Sequence, residues 1–201
     1  VISGLTNETV YYFKVAGFDK NGYLGELSDT VSVKPTTTSS FDVRADGTGD
    51  FTNPQDAIDA AVSGDSVFIE PGTYDSLRVD GKSIQIIAGE GPTKSFIDAK
   101  GKTTAVKLTG YPNQTTISGF TIKNGVGDYN LNGKGGGIVV EPGVNASIEN
   151  CILTDNEDGA MFFGDSSEVK VSNTLVFGND RSFIFGAGEA NFVNCTFVEE
   201  D

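Results

Sequence analysis

The sequence predicts an all-β fold, a parallel β-solenoid with a short N-terminal capping helix, preceded by a smaller β segment. Three observations carry this. First, Ile117-Ser-Gly-Phe-Thr-Ile122, Ile148-Glu-Asn-Cys-Ile-Leu153, Val171-Ser-Asn-Thr-Leu-Val176 and Phe192-Val-Asn-Cys-Thr-Phe197 superpose, with starts 31, 23 and 21 residues apart. Second, Ile138, Met161 and Ile184 open a parallel column of apolar runs 23 residues apart. Third, the runs are short, β-prone and separated by glycine turns, so each unit buries its apolar face only by stacking on its neighbours.

Along the chain, Thr9–Phe18 is a β run, Asp19-Lys-Asn-Gly22 a turn, and Thr30–Lys34 an alternating strand before Pro35. Thr36-Thr-Thr-Ser-Ser40 reads as a linker, setting the solenoid at 41–201. Asn53 and Pro54 begin a helix whose apolar face is Ala57, Ile58, Ala61 and Val62, suited to covering the first coil. Strands follow at Val67–Ile69, Leu77–Val79, Ile84–Ile87, Phe96–Ile97 and Ala105–Leu108. The chain ends straight after a strand, and further coils are expected beyond Asp201.

A net charge of −14 makes nucleic acid and anionic membranes poor partners, and no apolar run is long enough to span a bilayer. There is no histidine, so the chain supplies no imidazole base or ligand. Cys151 and Cys195 share one column with Thr174 between them. Two strand spacings, about 9–10 Å, exceed disulfide reach, so both read as buried thiols.

Two resemblances extend this reading. Gly4-Leu-Thr-Asn-Glu-Thr-Val-Tyr11, with Phe13, Val15 and Gly17, resembles the tyrosine corner and strand F of a fibronectin type III domain, and Ser28–Pro35 its strand G. Residues 1–35 would thus be the C-terminal half of such a sandwich. Asp46-Gly-Thr-Gly-Asp-Phe51, the helix, Val67-Phe-Ile-Glu-Pro-Gly-Thr-Tyr74 and Gly81-Lys-Ser-Ile84 resemble the opening of the pectin lyase-like right-handed parallel β-helix superfamily, nearest to pectin methylesterases. That resemblance implies right-handed coils of three parallel sheets. Ser182-Phe-Ile-Phe-Gly186 is similar to the methylesterase segment in which an aspartate nucleophile precedes Phe-Ile-Phe-Gly, but here serine holds that place. The family's upstream Gln-Asp pair is also unmatched, so no catalytic residue is assigned.

The period gathers a candidate site. An offset of 23 stacks Lys134, Glu157 and Asp180 and puts Asp158 beside Arg181. Close carboxylates repel, shift a pKa or share a cation, so Glu157, Asp158 and Asp180 are candidate calcium ligands. The 31-residue coil carries a surplus loop, Gly125–Gly133, beside that corner. Asp128, Tyr129, Asn130 and Asn132, with Lys134 and Arg181, form a candidate carbohydrate-binding set. The function expected is a non-catalytic glycan-binding or spacer module of a secreted or cell-surface multidomain protein, its partners a polysaccharide or surface glycan and the other domains of the larger chain. The alternative is a polysaccharide lyase, hydrolase or pectin esterase-like enzyme whose catalytic residues lie mostly outside this chain.

Overall fold

The computed structural model describes residues 5–6, 9–34, 38–110, 114–128, 135–182, 184–185 (backbone only) and 188–198. The chain divides into two compact units, Val1–Thr38 and Ser39–Asp201.

In the smaller unit, β1 (Tyr11–Phe13) pairs antiparallel with β2 (Val31–Val33), with Tyr11 opposite Val33 and Phe13 opposite Val31. Tyr11 accepts the Thr6 N–H at 2.9 Å through its hydroxyl. The turn forms at Asp19, whose carboxylate accepts the Asn21 and Tyr23 N–H groups. Tyr12, Val15, Phe18 and Tyr23 are each more than 70% exposed, so this unit buries little apolar surface of its own.

The larger unit is a parallel β-solenoid of three sheets. Sheet 1 holds β3 (Ser40–Val43), β4 (Ser66–Ile69), β7 (Gln85–Ala88), β10 (Gln114–Ser118), β13 (Asn145–Glu149), β16 (Glu168–Ser172) and β19 (Glu189–Val193). Sheet 2 holds β5 (Gly72–Tyr74), β8 (Ser95–Asp98), β11 (Thr121–Lys123), β14 (Ile152–Thr154), β17 (Leu175–Phe177) and β20 (Thr196–Val198). Sheet 3 holds β6 (Leu77–Asp80), β9 (Val106–Thr109), β12 (Ile138–Val140), β15 (Met161–Phe163) and β18 (Ile184–Phe185). The chain visits sheets 1, 2 and 3 in that order in each complete coil.

Inward side chains stack in register. Phe41, Val67, Ile86, Ile117, Ile148, Val171 and Phe192 form one column of sheet 1. Tyr74, Ile97, Ile122, Leu153, Val176 and Phe197 form its counterpart in sheet 2. The middle members of both columns are fully buried, and each contributes roughly 1.5–3 kcal/mol of burial. The register aligns the four opening stretches as the spacing predicts. Sheet 3 differs at one step: Ile184 pairs with Phe162 instead of Met161, because the corner before β18 uses one residue fewer. Gly72–Tyr74, between the strands expected at Val67–Ile69 and Leu77–Val79, is a further strand.

The corner from sheet 1 to sheet 2 explains the recurring asparagines. Asn150, Asn173 and Asn194 have φ of 53°, 50° and 53°, and Gly119 holds the same place at 84°. Asparagine and glycine are the residues that enter this left-handed region most readily, so a tight two-residue corner selects them. Cys151 and Cys195 sit in that corner as free thiols, Cys151 buried as expected but Cys195 only partly so. Thr174 lies between them, accepting the Cys151 N–H and donating to Ser172 O.

The helix α1 (Pro54–Ala60) starts on Asn53, whose side chain accepts the Gln55 N–H at 2.8 Å. Ala57, Ile58 and Ala61 are buried as expected, but Val62 is exposed because Ala61 already leaves helical geometry. Gln55 bonds both backbone groups of Arg78 at 2.9 Å, so an amide side chain completes the edge of β6. Buried Asp65 accepts the Ser39 and Val62 N–H groups, tying the first strand down. The stretch read as a linker therefore already includes Ser40 of β3, paired with Ser66.

Candidate functional site

The candidate surface lies at the corner between sheets 2 and 3, where coil lengths differ. From β8 to β9 the connection is 99–105, from β11 to β12 it is 124–137, and from β14 to β15 it is 155–160. The long 124–137 connection is fixed at both described ends. At its start, Asp128 Oδ2 lies 2.5 Å from Lys107 Nζ, which also reaches Glu141 Oε1 at 3.0 Å. Lys107 alternates with inward Val106 and Leu108 and so points outward from sheet 3. Its side chain is 17% exposed and that of Asp128 10%. Burial alone would push this ammonium down, but the bonds to Asp128 and Glu141 outweigh it and hold the group above the ordinary lysine range.

At its end, the connection returns through Gly135, Gly136 and Gly137. Gly135 has φ of 74°, and a Cβ there would lie 2.7 Å from both Phe162 Cβ and Val139 Cγ2. The returning backbone thus presses on the outer face of sheet 3, where Val139 and Phe162 are buried.

Below this connection run three recesses that share Lys100, with volumes of about 280, 190 and 230 Å³. The first lies against the start of α1 and is lined by Asn53, Tyr74 and Asp75; the second by Asp75, Asp98 and Lys102. The third reaches Asn124, Gly125, Asp155 and Glu157. Together they make a polar trough along the corner, crossing successive coils. Lys100 is ion-paired with Asp75, and the hydrogen bond to Asp75 raises its pKa. Asp98 accepts the Lys100 N–H and the Asn124 side chain, each at 2.9 Å, and pairs with Lys123 at 3.6 Å. Burial pushes the Asp98 carboxyl up, yet these donors prevail and hold it below the usual carboxylate range. Behind the trough, buried Asn156 bonds Ile122 O, the Gly125 N–H and the Asn179 side chain. The Asn156–Asn179 bond thus ties the corners of two neighbouring coils together.

The residues picked from sequence are only partly brought together. Asp128 is ion-paired with Lys107, so its carboxylate anchors the start of the loop. Tyr129, Asn130, Asn132 and Lys134 lie outside the described residues. Asp158 pairs with Asp180 instead of Arg181: Asp180 Oδ2 accepts the Asp158 N–H at 3.1 Å, and Asp158 Oδ2 accepts the Gly127 N–H at 3.3 Å. Both carboxylates therefore cap backbone donors of a neighbouring coil. Among the described residues, no three His, Cys, Asp or Glu side chains gather as a metal cage. Arg181 is exposed, and its carbonyl accepts the Ala160 N–H. Asp75, Asp98, Lys100 and Lys102 were not picked from sequence. Extending the sheet 2 register back from Ile122 through Ile97 to Tyr74 would have found them.

No curated protein matches the chain. Among solved structures it is similar to a pectin methylesterase from Aspergillus niger, at 16% identity and a TM-score of 0.47, over 81% of this chain and 57% of that one. It is also similar to a family 28 exopolygalacturonase from Yersinia enterocolitica, at 16% identity and a TM-score of 0.37, over 96% and 55%. A pectin methylesterase from carrot aligns at 14% identity and a TM-score of 0.41, over 84% and 66%. The chain thus spans less than two thirds of each of these proteins. Residues 73–200, more than half of the chain, match the family model described as the right handed beta helix region, and the chain belongs to that family.

Proposed function

We propose that the solenoid is a non-catalytic carbohydrate-binding module of a secreted or cell-surface multidomain protein. The observation that supports this is the polar trough along the corner, where recesses from successive coils share Lys100 and end at Glu157 beneath the anchored 124–137 connection. A linear glycan suits such a surface, because its repeating hydroxyls meet a repeating set of donors and acceptors. Lys102 adds an exposed cation at the rim and Arg181 another in a later coil, where water-mediated contacts serve as well as direct ones. The smaller unit, read as half of a fibronectin type III sandwich, belongs to the neighbouring domains of the same larger protein.

Binding is tested by affinity electrophoresis and calorimetry of the whole chain against neutral and acidic polysaccharides. Lys100→Gln combined with Arg181→Ala is expected to weaken binding about tenfold, the loss of two charge-assisted hydrogen bonds at a wet surface. Unchanged affinity in that variant would place binding elsewhere. Release of unsaturated or reducing uronate that disappears with Arg181→Ala would overturn the non-catalytic reading in favour of a lyase or hydrolase.

A further inference from the structure

A second groove, of about 390 Å³, lies on the outer face of sheet 1, away from the corner trough. Strands β10, β13, β16 and β19 all line it, so it runs along the solenoid axis. Its side chains stand in two rows set by register. Gln114 lies beside Asn145, and Glu168 directly beside Glu189. The adjacent row is Ser147, Lys170 and Asn191. Within the first row Asn145 Oδ1 accepts the Glu168 N–H at 2.9 Å, and from the second Ser147 donates to Glu149, two residues along its own strand, at 2.8 Å. Lys170, Glu189 and Asn191 are exposed, with no side-chain partner among the described residues.

We infer that this groove binds an uncharged, hydroxyl-rich polysaccharide strand lying along the solenoid axis. Successive rungs are about 4.8 Å apart, so a polymer repeating on a similar scale meets equivalent groups coil after coil. Carboxylates accept paired hydroxyls, while the lysine and the amides donate, so the floor satisfies a polyol in both senses. Glu168 and Glu189 face each other as like charges, an arrangement that disfavours the bare sheet and that hydroxyl donors relieve. The same carboxylates, on a chain of net charge −14, repel a polyuronate. A protein partner is a poorer occupant, because the lining has no aromatic and little exposed apolar surface to form an interface core.

The inference rests on the module being a glycan binder but assigns a separate face. The test uses the whole chain with β-glucan, xylan and polygalacturonate as probes, comparing the parent, Lys170→Ala with Glu189→Ala, and the corner variant Lys100→Gln with Arg181→Ala. The expected result is binding of a neutral probe, with little effect of salt, weakened about tenfold by the sheet 1 pair whether or not the corner pair is also changed, as two separate faces require. Unchanged melting of the sheet 1 variant shows that it folds. Neutral-glycan binding lost only in the corner variant would overturn this inference and leave the proposed function standing. Preference for polygalacturonate in the parent would overturn the inference too, and binding of no probe would overturn both.

Discussion

Replacing Lys107 with methionine is the sharpest probe of how the 124–137 connection is held. The substitution keeps the aliphatic stem and removes the cation between Asp128 and Glu141. An exposed ion pair contributes at most ~1 kcal/mol, whereas breaking a fully buried pair on one side costs about 3–5 kcal/mol. Lys107 and Asp128 are 17% and 10% exposed, nearer the buried case, while Glu141 at 33% keeps access to water. The expected cost is therefore about 2 kcal/mol, between these limits. For a unit of this size that lowers the melting temperature by about 4–8 °C. Asp128→Asn should cost less, since it leaves a polar partner and no stranded charge. The double variant should recover part of the loss, because the two changes share one interaction. Thermal unfolding by circular dichroism gives the magnitudes, and hydrogen exchange over 105–109 and 135–141 shows whether the effect is local. A Lys107→Met variant that melts with the parent and exchanges at the same rates would refute the argument and reduce the cluster to a solvated surface pair.

Three further outcomes follow from other sites. Asn150→Gly should leave the urea midpoint nearly unchanged, whereas Asn150→Val should destabilise by about 1–3 kcal/mol, because a β-branched residue resists the φ of 53°. At pH 8, a thiol reagent should modify Cys195 in the native chain and reach Cys151 only on unfolding, since burial raises the Cys151 thiol to about 11. Asp98 is held below its ordinary pKa, so its stabilising contribution is present above the unfolded value of about 3.9 and is lost as pH falls through the folded one. Acid unfolding followed by fluorescence or circular dichroism should be correspondingly shallower in Asp98→Asn.

The solenoid was legible because two selections recur in each coil from β10 onward. Inward positions must be apolar, and the sheet 1 to sheet 2 corner must take a left-handed residue, so Ile117, Ile148, Val171 and Phe192 align, as do Gly119, Asn150, Asn173 and Asn194. The corner between sheets 2 and 3 obeys no such rule. Its length changes from coil to coil, and Asn179 to Ser182 closes it with one residue fewer, which moved Asp180 from Glu157 to Asp158. The charge cluster was hidden for a related reason: Lys107 meets Asp128 and Glu141 through the folding back of a long connection, and no period encodes that path.

The glycines that close this connection show how scaffold and site are kept separate. A Cβ on Gly136 would collide with Glu157 O and Gly125 O, the first in the coil above and the second where the connection leaves sheet 2. The incoming and outgoing backbones therefore touch, and the excursion between them begins and ends at one point on the solenoid wall. Because Gly136 O accepts the Ala105 N–H and Gly137 O the Val106 N–H, the ladder resumes at once beneath the excursion. Residues inserted or deleted within it are therefore expected to leave the register of β9, β12 and β15 untouched. A side chain at Gly136 would separate the two backbones and break both ladder bonds, so the site's chemistry is free to change only while that glycine stays.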